Sequence, residues 1–214
     1  MPHKNTIRYY EPDGYYHVYN RGVEKRKIFL DKNDYSRFVD ILEGYLAPKP
    51  PPTKQLVRNT PYWRSLLDEG EITLLCYCLM PNHFHLLLRQ KSENGVTKFM
   101  RRISNAYVRH FNKKYARVGA LFQGKFKAVR IDNEVYLLHL SRYIHLNRQE
   151  VGPLDNYPYS SYPNFIGKIE SEWLNPNEIL TYFSTTNHKL TYKNFVESRL
   201  NIPTPIDNLT LEQV

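Results

Sequence analysis

Apolar and polar positions recur with two different periods along this 214-residue chain, and each change of period marks a new element. GYYHVYNRGV, residues 14–23, is rich in aromatic and β-branched residues and closes on a turn signal, which predicts a first strand. In DKNDYSRFVDILEGYL, residues 31–46, Phe38, Ile41, Leu42 and Tyr45 fall at helical spacing behind a capping Asp31 or Asn33. The proline-rich APKPPPTK (47–54) stops that helix, and residues 55–70 read as loop or short helix. EITLLCYCLM and HFHLLLRQ are β-rich runs parted only by Pro81 and Asn82, either a hairpin or one bent strand. From Gly95 to Val118, Val96, Phe99, Met100, Ile103, Ala106, Tyr107 and Phe111 follow at intervals of three and four, the pattern of a long amphipathic helix.

GALFQGKFKAVRI (119–131), punctuated by Gly119 and Gly124, reads as a short hairpin or extended loop. Asp132 or Asn133 caps a helix over 133–149, with Leu137, Leu140, Ile144 and Leu146 toward the core. A turn-rich aromatic stretch (155–165) precedes two short helices in ESEWLNPNEILTYFS and YKNFVESRL, and the residues from NIPTPID onward are expected to be mobile. Strand, helix, strand pair, helix, extended segment and helix together predict an α+β fold, a small antiparallel sheet with helices on one face. Residues 1–166 form the principal domain in this reading, and 167–214 a C-terminal helical extension.

Composition narrows the partner. A chain of this length with 41% hydrophobic residues supports one ordinary core. Its formal charge of +9 and isoelectric point near 9.4 favour an anionic polymer or an anionic membrane surface over a small metabolite. No run approaches the roughly 18 apolar residues of a membrane span, and MPHKNTIRYY has no apolar signal region, so the expected location is cytoplasmic. Cys76 and Cys78, the only cysteines, lie two apart on one strand face; that is too tight for an ordinary disulfide and lacks the further ligands of a zinc site, so both read as small core residues.

Chemistry enters at MPNHFHLLL (80–88). On a strand, His83 and His85 share a face while Phe84 looks the other way, and same-face neighbours lie roughly 6.5 to 7 Å apart, close enough to converge on one ion. In isolation the pattern is as well read as two hydrogen-bonded surface histidines, but Leu86, Leu87 and Leu88 set these rings beside a dry core where an unpaired nitrogen is costly. Downstream, SRYIHLNRQE places Tyr143 and Asn147 at i, i+4 on one helix face. Two imidazoles and a carboxamide oxygen make an open mixed site that suits magnesium or manganese better than structural zinc. A phenol beside such an ion becomes a usable nucleophile. Tyr136 and Tyr115 are rivals for that part, whereas Tyr107 lies on the apolar stripe of the long helix. His139 and His145 share the helix of Tyr143 and read as solvent-facing or hydrogen-bonded, with a helper role open to His139. His17 reads as structural or DNA-facing.

YHVYNRG (16–22), YCLMPNHFHLLL (77–88), GALFQGKFKA (119–128) and RYIHLN (142–147), in this order, resemble the single-tyrosine transposases of the His-hydrophobic-His (HUH) superfamily, and within it the REP-associated tyrosine transposases. The resemblance covers about residues 8 to 165. It implies a ferredoxin-like antiparallel sheet flanked by helices, with residues 1–166 as the catalytic domain. It matches His83 and His85 to paired ligands of a divalent Mg²⁺ or Mn²⁺, Asn147 to the third ligand, and Tyr143 to the nucleophile. The activity it implies is endonuclease and strand-transferase chemistry in DNA transposition and recombination, on single-stranded DNA beside a hairpin or palindrome, through a 5′-phosphotyrosine. Family members commonly continue Asn-Pro at the helix end, whereas here Arg148 follows Asn147. No G-x-x-x-x-G-K-[ST] loop is present, as expected where the bond energy is kept in the phosphotyrosine and no nucleotide is needed.

Between Thr97 and Arg130 stand Lys98, Arg101, Arg102, Arg109, Lys113, Lys114, Arg117, Lys125, Lys127 and Arg130 without one acidic residue, the pattern of a phosphate track rather than of a mixed-sign solvated helix face. Phe122, Gln123 and Phe126 interleave with the last of these, as where unpaired bases stack. Arg21, Lys25, Arg26 and Lys27 form a second basic cluster, suited to a hairpin stem. Two other functions fit parts of this pattern: a nicking enzyme of the rolling-circle or relaxase type, and a domesticated nucleic-acid-binding module without catalysis. Oligomeric state, monomer or homodimer, stays open.

Overall fold

A computed structural model describes residues 10–48, 70–147 and 154–198. The expectations for residues 55–69 and for the tail from Asn201 lie outside these residues. Four strands, β1 (Tyr15–Arg21), β2 (Ile72–Met80), β3 (His83–Gln90) and β4 (Lys127–Ile131), form one antiparallel sheet in the order β2-β3-β1-β4. Three main helices, α1 (Lys32–Leu46), α2 (Gly95–Lys114) and α3 (Glu134–Leu146), alternate with them, and the β-α-β-β-α-β order with this strand arrangement is ferredoxin-like.

Local chemistry sets the boundaries. Asp31 caps α1 by accepting from the Asp34 backbone N–H (3.0 Å), and the buried Asp34 carboxylate accepts from the Asp31 and Leu30 N–H groups. Ala47 ends the helix in extended backbone, the conformation that Pro48 imposes on its predecessor. Asn133 caps α3 by accepting from the Tyr136 N–H (2.8 Å). Pro81 and Asn82 form a tight turn between β2 and β3, so the two runs are a hairpin. That turn is tied to the segment after β1: the Pro81 carbonyl accepts from Ile28 N–H (2.7 Å), and the Asn82 carbonyl from Gly22 N–H (2.8 Å). A Cβ on Gly22 would collide with the Arg26 carbonyl, so this turn requires glycine.

Both faces of the sheet are covered, which corrects the expectation of helices on one face. Even positions of β3 (Phe84, Leu86, Leu88) enter a core with Phe38 and Leu42 of α1 and Val96, Phe99, Met100, Ile103, Tyr107 and Phe111 of α2. Each of these side chains contributes roughly 1.5–3 kcal/mol by leaving water. On the other face, Leu87, Cys76 and Cys78 pack against Leu137, Leu140 and Ile144 of α3. A register shift between Leu74 and Cys76 sets two successive residues, Leu75 and Cys76, on the second side, after which alternation resumes with Tyr77 on the first and Cys78 on the second. Both cysteines are free and buried.

Residues 119–126 do not form a hairpin of their own. They extend the edge beside β1 through Val23 N–H to the Leu121 carbonyl (3.0 Å) and Gln123 N–H to the Arg21 carbonyl (2.9 Å), then continue as β4. Beyond residue 154, short helices α4 (Tyr162–Phe165), α5 (Asn177–Leu180) and α6 (Tyr192–Glu197) bury Tyr162, Phe165, Ile179, Tyr192 and Val196 in the α3-side core, so the described part of the extension completes that layer.

Candidate active site

The strand pleat sends His83 and His85 toward the α3 side, as the alternation requires. Their rings stand perpendicular with centroids 5.0 Å apart. α3 runs across the same face and stops above them. Its C-cap, Asn147, keeps helical backbone angles and donates its N–H to the Tyr143 carbonyl (2.9 Å), so the helix end is fixed without a following proline. The Asn147 side chain lies between the imidazoles: Oδ1 is 3.3 Å from His83 Nε2, and Nδ2 is 3.1 Å from His85 Nε2.

Burial leaves both histidines uncharged at neutral pH. That of His83 lowers its pKa to about 4, opposed by the hydrogen bond that only its protonated ring can give the Asn147 carboxamide oxygen and assisted by the charge of Arg21. His85, completely enclosed, is held well below its ordinary value by burial and then by its neighbours His17 and His83. Proton positions follow from the outer partners. Asn82 donates its Nδ2 to the Lys25 carbonyl (3.3 Å), which turns its Oδ1 to His83 Nδ1 at 2.6 Å; Nδ1 therefore carries the proton and Nε2 a lone pair. His83 Nε2 and Asn147 Oδ1 are then two electron-pair donors facing each other, and His85 Nε2 accepts from the same carboxamide. Neutral imidazole nitrogens and an amide oxygen converging at this range fit a divalent cation. Among the described residues no group of three His, Cys, Asp or Glu is arranged to hold a metal; the group that stands with the two imidazoles is the Asn147 carboxamide.

The Tyr143 ring packs edge-on to His85 (centroids 5.5 Å apart) and to His17 (6.4 Å). Its rivals stand elsewhere. Tyr107 is fully buried and donates to the Ile28 carbonyl (2.5 Å), and Tyr115 donates to Asp34 (2.7 Å) at the end of α2, beyond the opposite face of the sheet. Tyr136 packs at the margin of the α3-side core. Among the described residues, the aromatic neighbours of His85 are His17, Tyr19, His83 and Tyr143. His139 faces Phe195 (5.6 Å) rather than the site. His145 is wholly buried and bonded to Tyr192 and Ser161. His17 was unassigned by sequence reasoning: it is completely buried, and its Nε2 lies 2.8 Å from His85 Nδ1. Its signal was parity, since His17 and His85 occupy same-face positions of adjacent strands.

The basic residues divide between layers. Arg21 sits opposite His83 in the β1–β3 register and donates to Gln123 (2.8 Å). Lys25 and Lys125 are exposed, Arg26 is half-buried near Glu24 (3.4 Å), and Lys127 lies over the Tyr19 ring at 6.0 Å on the histidine face. Lys98, Arg101, Arg109 and Lys113 are exposed and Arg102 half-buried on α2, across the sheet from the histidines. Arg130 pairs with Glu11 (2.5 Å), and Lys114 with Asp31 and Asp34 (2.7 Å each). Phe122 and Phe126, expected to stack on bases, are instead 7% and 8% exposed in the α1–α2 core. The correction has a simple cause: this segment lies on the sheet edge, and its aromatic rings close the core beneath.

Residues 55–147 match the family described as "Transposase IS200 like". The fold is similar to a REP-associated tyrosine transposase structure bound to a REP hairpin, with TM-score 0.52 and 14% identity over 89% of this chain and 97% of that one. A candidate transposase from Deinococcus radiodurans R1 aligns at 15% identity over 67% of this chain and 95% of that one, with TM-score 0.38. No curated protein matches the sequence.

Proposed function

We propose, from the match of residues 55–147 to the IS200-like transposase family, that the chain cleaves and rejoins single-stranded DNA beside hairpins, with Tyr143 as nucleophile. One observation carries this reading: the paired histidines of β3 and the carboxamide of Asn147 meet at one point, one helical turn from a tyrosine that packs against His85. Magnesium or manganese held by His83, His85 and Asn147 would supply a positive charge to the scissile phosphate and the departing oxygen.

The chain's own groups divide the remaining work. The Tyr143 phenolic oxygen attacks phosphorus, forming the O–P bond of a 5′-phosphotyrosine as the bond to the 3′-oxygen breaks; the phenol proton leaves and the 3′-oxygen departs as a hydroxyl. Attack by a second DNA 3′-hydroxyl reverses the step and restores the phenol, so joining needs no nucleotide. Arg21, level with His83, and Lys127 on the same face lie where the strand's phosphates would enter, with exposed Lys25 and Lys125 extending the positive surface. Because Arg21 stands level with His83, the hairpin stem expected at the Arg21 cluster is assigned instead to the more distant basic face of α2, by analogy with the hairpin bound by the similar structure.

The test is a covalent-adduct assay with labelled hairpin-bearing single-stranded DNA and manganese. A shifted protein band should form and disappear in Tyr143→Phe. If it persists there and vanishes in Tyr136→Phe, the nucleophile is wrong; if no condition yields a band, the chain is a binding module.

A further inference from the structure

His17 lies outside the set of groups that would touch DNA or metal, yet it makes a close, fully buried contact with one of the site's histidines. Its Nε2 approaches His85 Nδ1 to 2.8 Å in a fully buried pair, with the rings nearly parallel (17°) and centroids 5.1 Å apart. One proton must lie between these nitrogens, and its position fixes the character of His85 on the other side of the ring. With the proton on His85 Nδ1, Nε2 bears a lone pair; with it on His17 Nε2, a neutral His85 carries its own proton on Nε2 and cannot ligate.

The other partner of His85 decides between these. Asn147 presents its Nδ2, a donor only, to His85 Nε2 at 3.1 Å, which requires the lone pair there. His85 Nδ1 then donates to His17, which must be the acceptor. We infer that His17 is a positioning residue, holding His85 in the tautomer whose Nε2 lone pair points at Asn147 and the cation site. The arrangement mirrors that on His83, where the Asn82 carboxamide oxygen takes the Nδ1 proton. Each imidazole is thus oriented from behind by its own acceptor, the role that outer partners of ligating histidines generally perform. Tyr19, tilted against both rings at 4.9 and 5.9 Å, keeps the pair stacked. The cation half of this inference rests on the function proposed above; the tautomer half does not.

Two measurements test it separately. Manganese binding to the full chain, followed by electron paramagnetic resonance, should weaken about 10- to 100-fold in His17→Leu. It should recover to within about threefold of the parent in His17→Gln, whose amide oxygen can accept in the same direction. Equal manganese affinity in a folded His17→Leu protein, with binding still abolished by His83→Ala, overturns the inference and leaves the proposed function standing. If the parent shows no His83-dependent manganese site, the metal reading itself fails. Long-range ¹⁵N–¹H spectra of the metal-free parent decide the tautomer independently, even if His17→Leu does not fold: the proton should lie on His85 Nδ1, and finding it on Nε2 overturns the assignment.

Discussion

Acidification should destabilise this protein through α3, and His145→Leu isolates the effect. The His145 ring lies between the positions of Tyr143 and Asn147 along the helix. It is wholly buried, 2.7 Å from the Tyr192 hydroxyl through Nδ1 and 2.8 Å from Ser161 Oγ through Nε2, and packs edge-on against Phe165 at 4.7 Å. Burial lowers its pKa from 6.5 to about 3. Between those values the unfolded chain binds a proton that the folded one refuses, so folding stability falls as pH drops below 6.5, by up to about 1.4 kcal/mol per pH unit.

Two units of acidification therefore cost the parent roughly 2.7 kcal/mol through this residue alone. Leucine abolishes the titration and two hydrogen bonds, but leaves no orphan: Ser161 Oγ keeps Tyr77 N–H (2.8 Å), and Tyr192 keeps Ser141 (3.0 Å). The loss at pH 7.5 should thus be only about 1–2 kcal/mol. Urea denaturation of both proteins from pH 7.5 to 4.5 should show the variant less stable at neutral pH, with the two curves crossing at about pH 5 to 6. Parallel curves, with the deficit constant across the range, would refute a buried neutral His145.

Three further outcomes follow from the packing and the charge distribution. Phe126→Ala should destabilise the fold by about 3–5 kcal/mol because the ring is core; weaker DNA binding with an unchanged urea midpoint would return Phe126 to the surface. Tyr107→Phe should cost about 1–3 kcal/mol in urea denaturation by leaving the Ile28 carbonyl without its buried donor, and an unchanged midpoint would contradict that bond. Lys113→Ala should lower the slope of log binding constant against log salt by about one for hairpin DNA, whereas Lys114→Ala, already paired with Asp31 and Asp34, should lower stability and leave that slope alone; identical slopes for parent and Lys113→Ala would take α2 off the phosphate path.

Much of this was legible in the chain because short-range periodicity carries it. The parity of His83 and His85 on β3 and the i, i+4 spacing of Tyr143 and Asn147 on α3 put each pair on one face, and the structure brings those faces together. What stayed hidden depends on how elements meet. An amphipathic helix announces an apolar stripe without saying which side of a sheet it covers, so α3 was expected beside α1 and α2 rather than opposite them. KFKAVRI is too short for its alternation to establish a register, and the rings of Phe122 and Phe126 among basic residues look alike whether they face solvent or core. The charge on Lys114 and Arg130 counts equally in a sequence, although in the fold acidic residues from distant segments engage both. The partnership of His17 with His85 needs strand pairing across 68 residues, which no local pattern reveals.

The most direct measurement is peptide mapping of the trapped protein–DNA adduct by mass spectrometry after nuclease trimming. A nucleotide phosphate on Tyr143 is the predicted result, with none recovered when both His83 and His85 are alanine. The same mass on Tyr136, or on any tyrosine away from the histidine face, would contradict a centre built where β3 meets the end of α3.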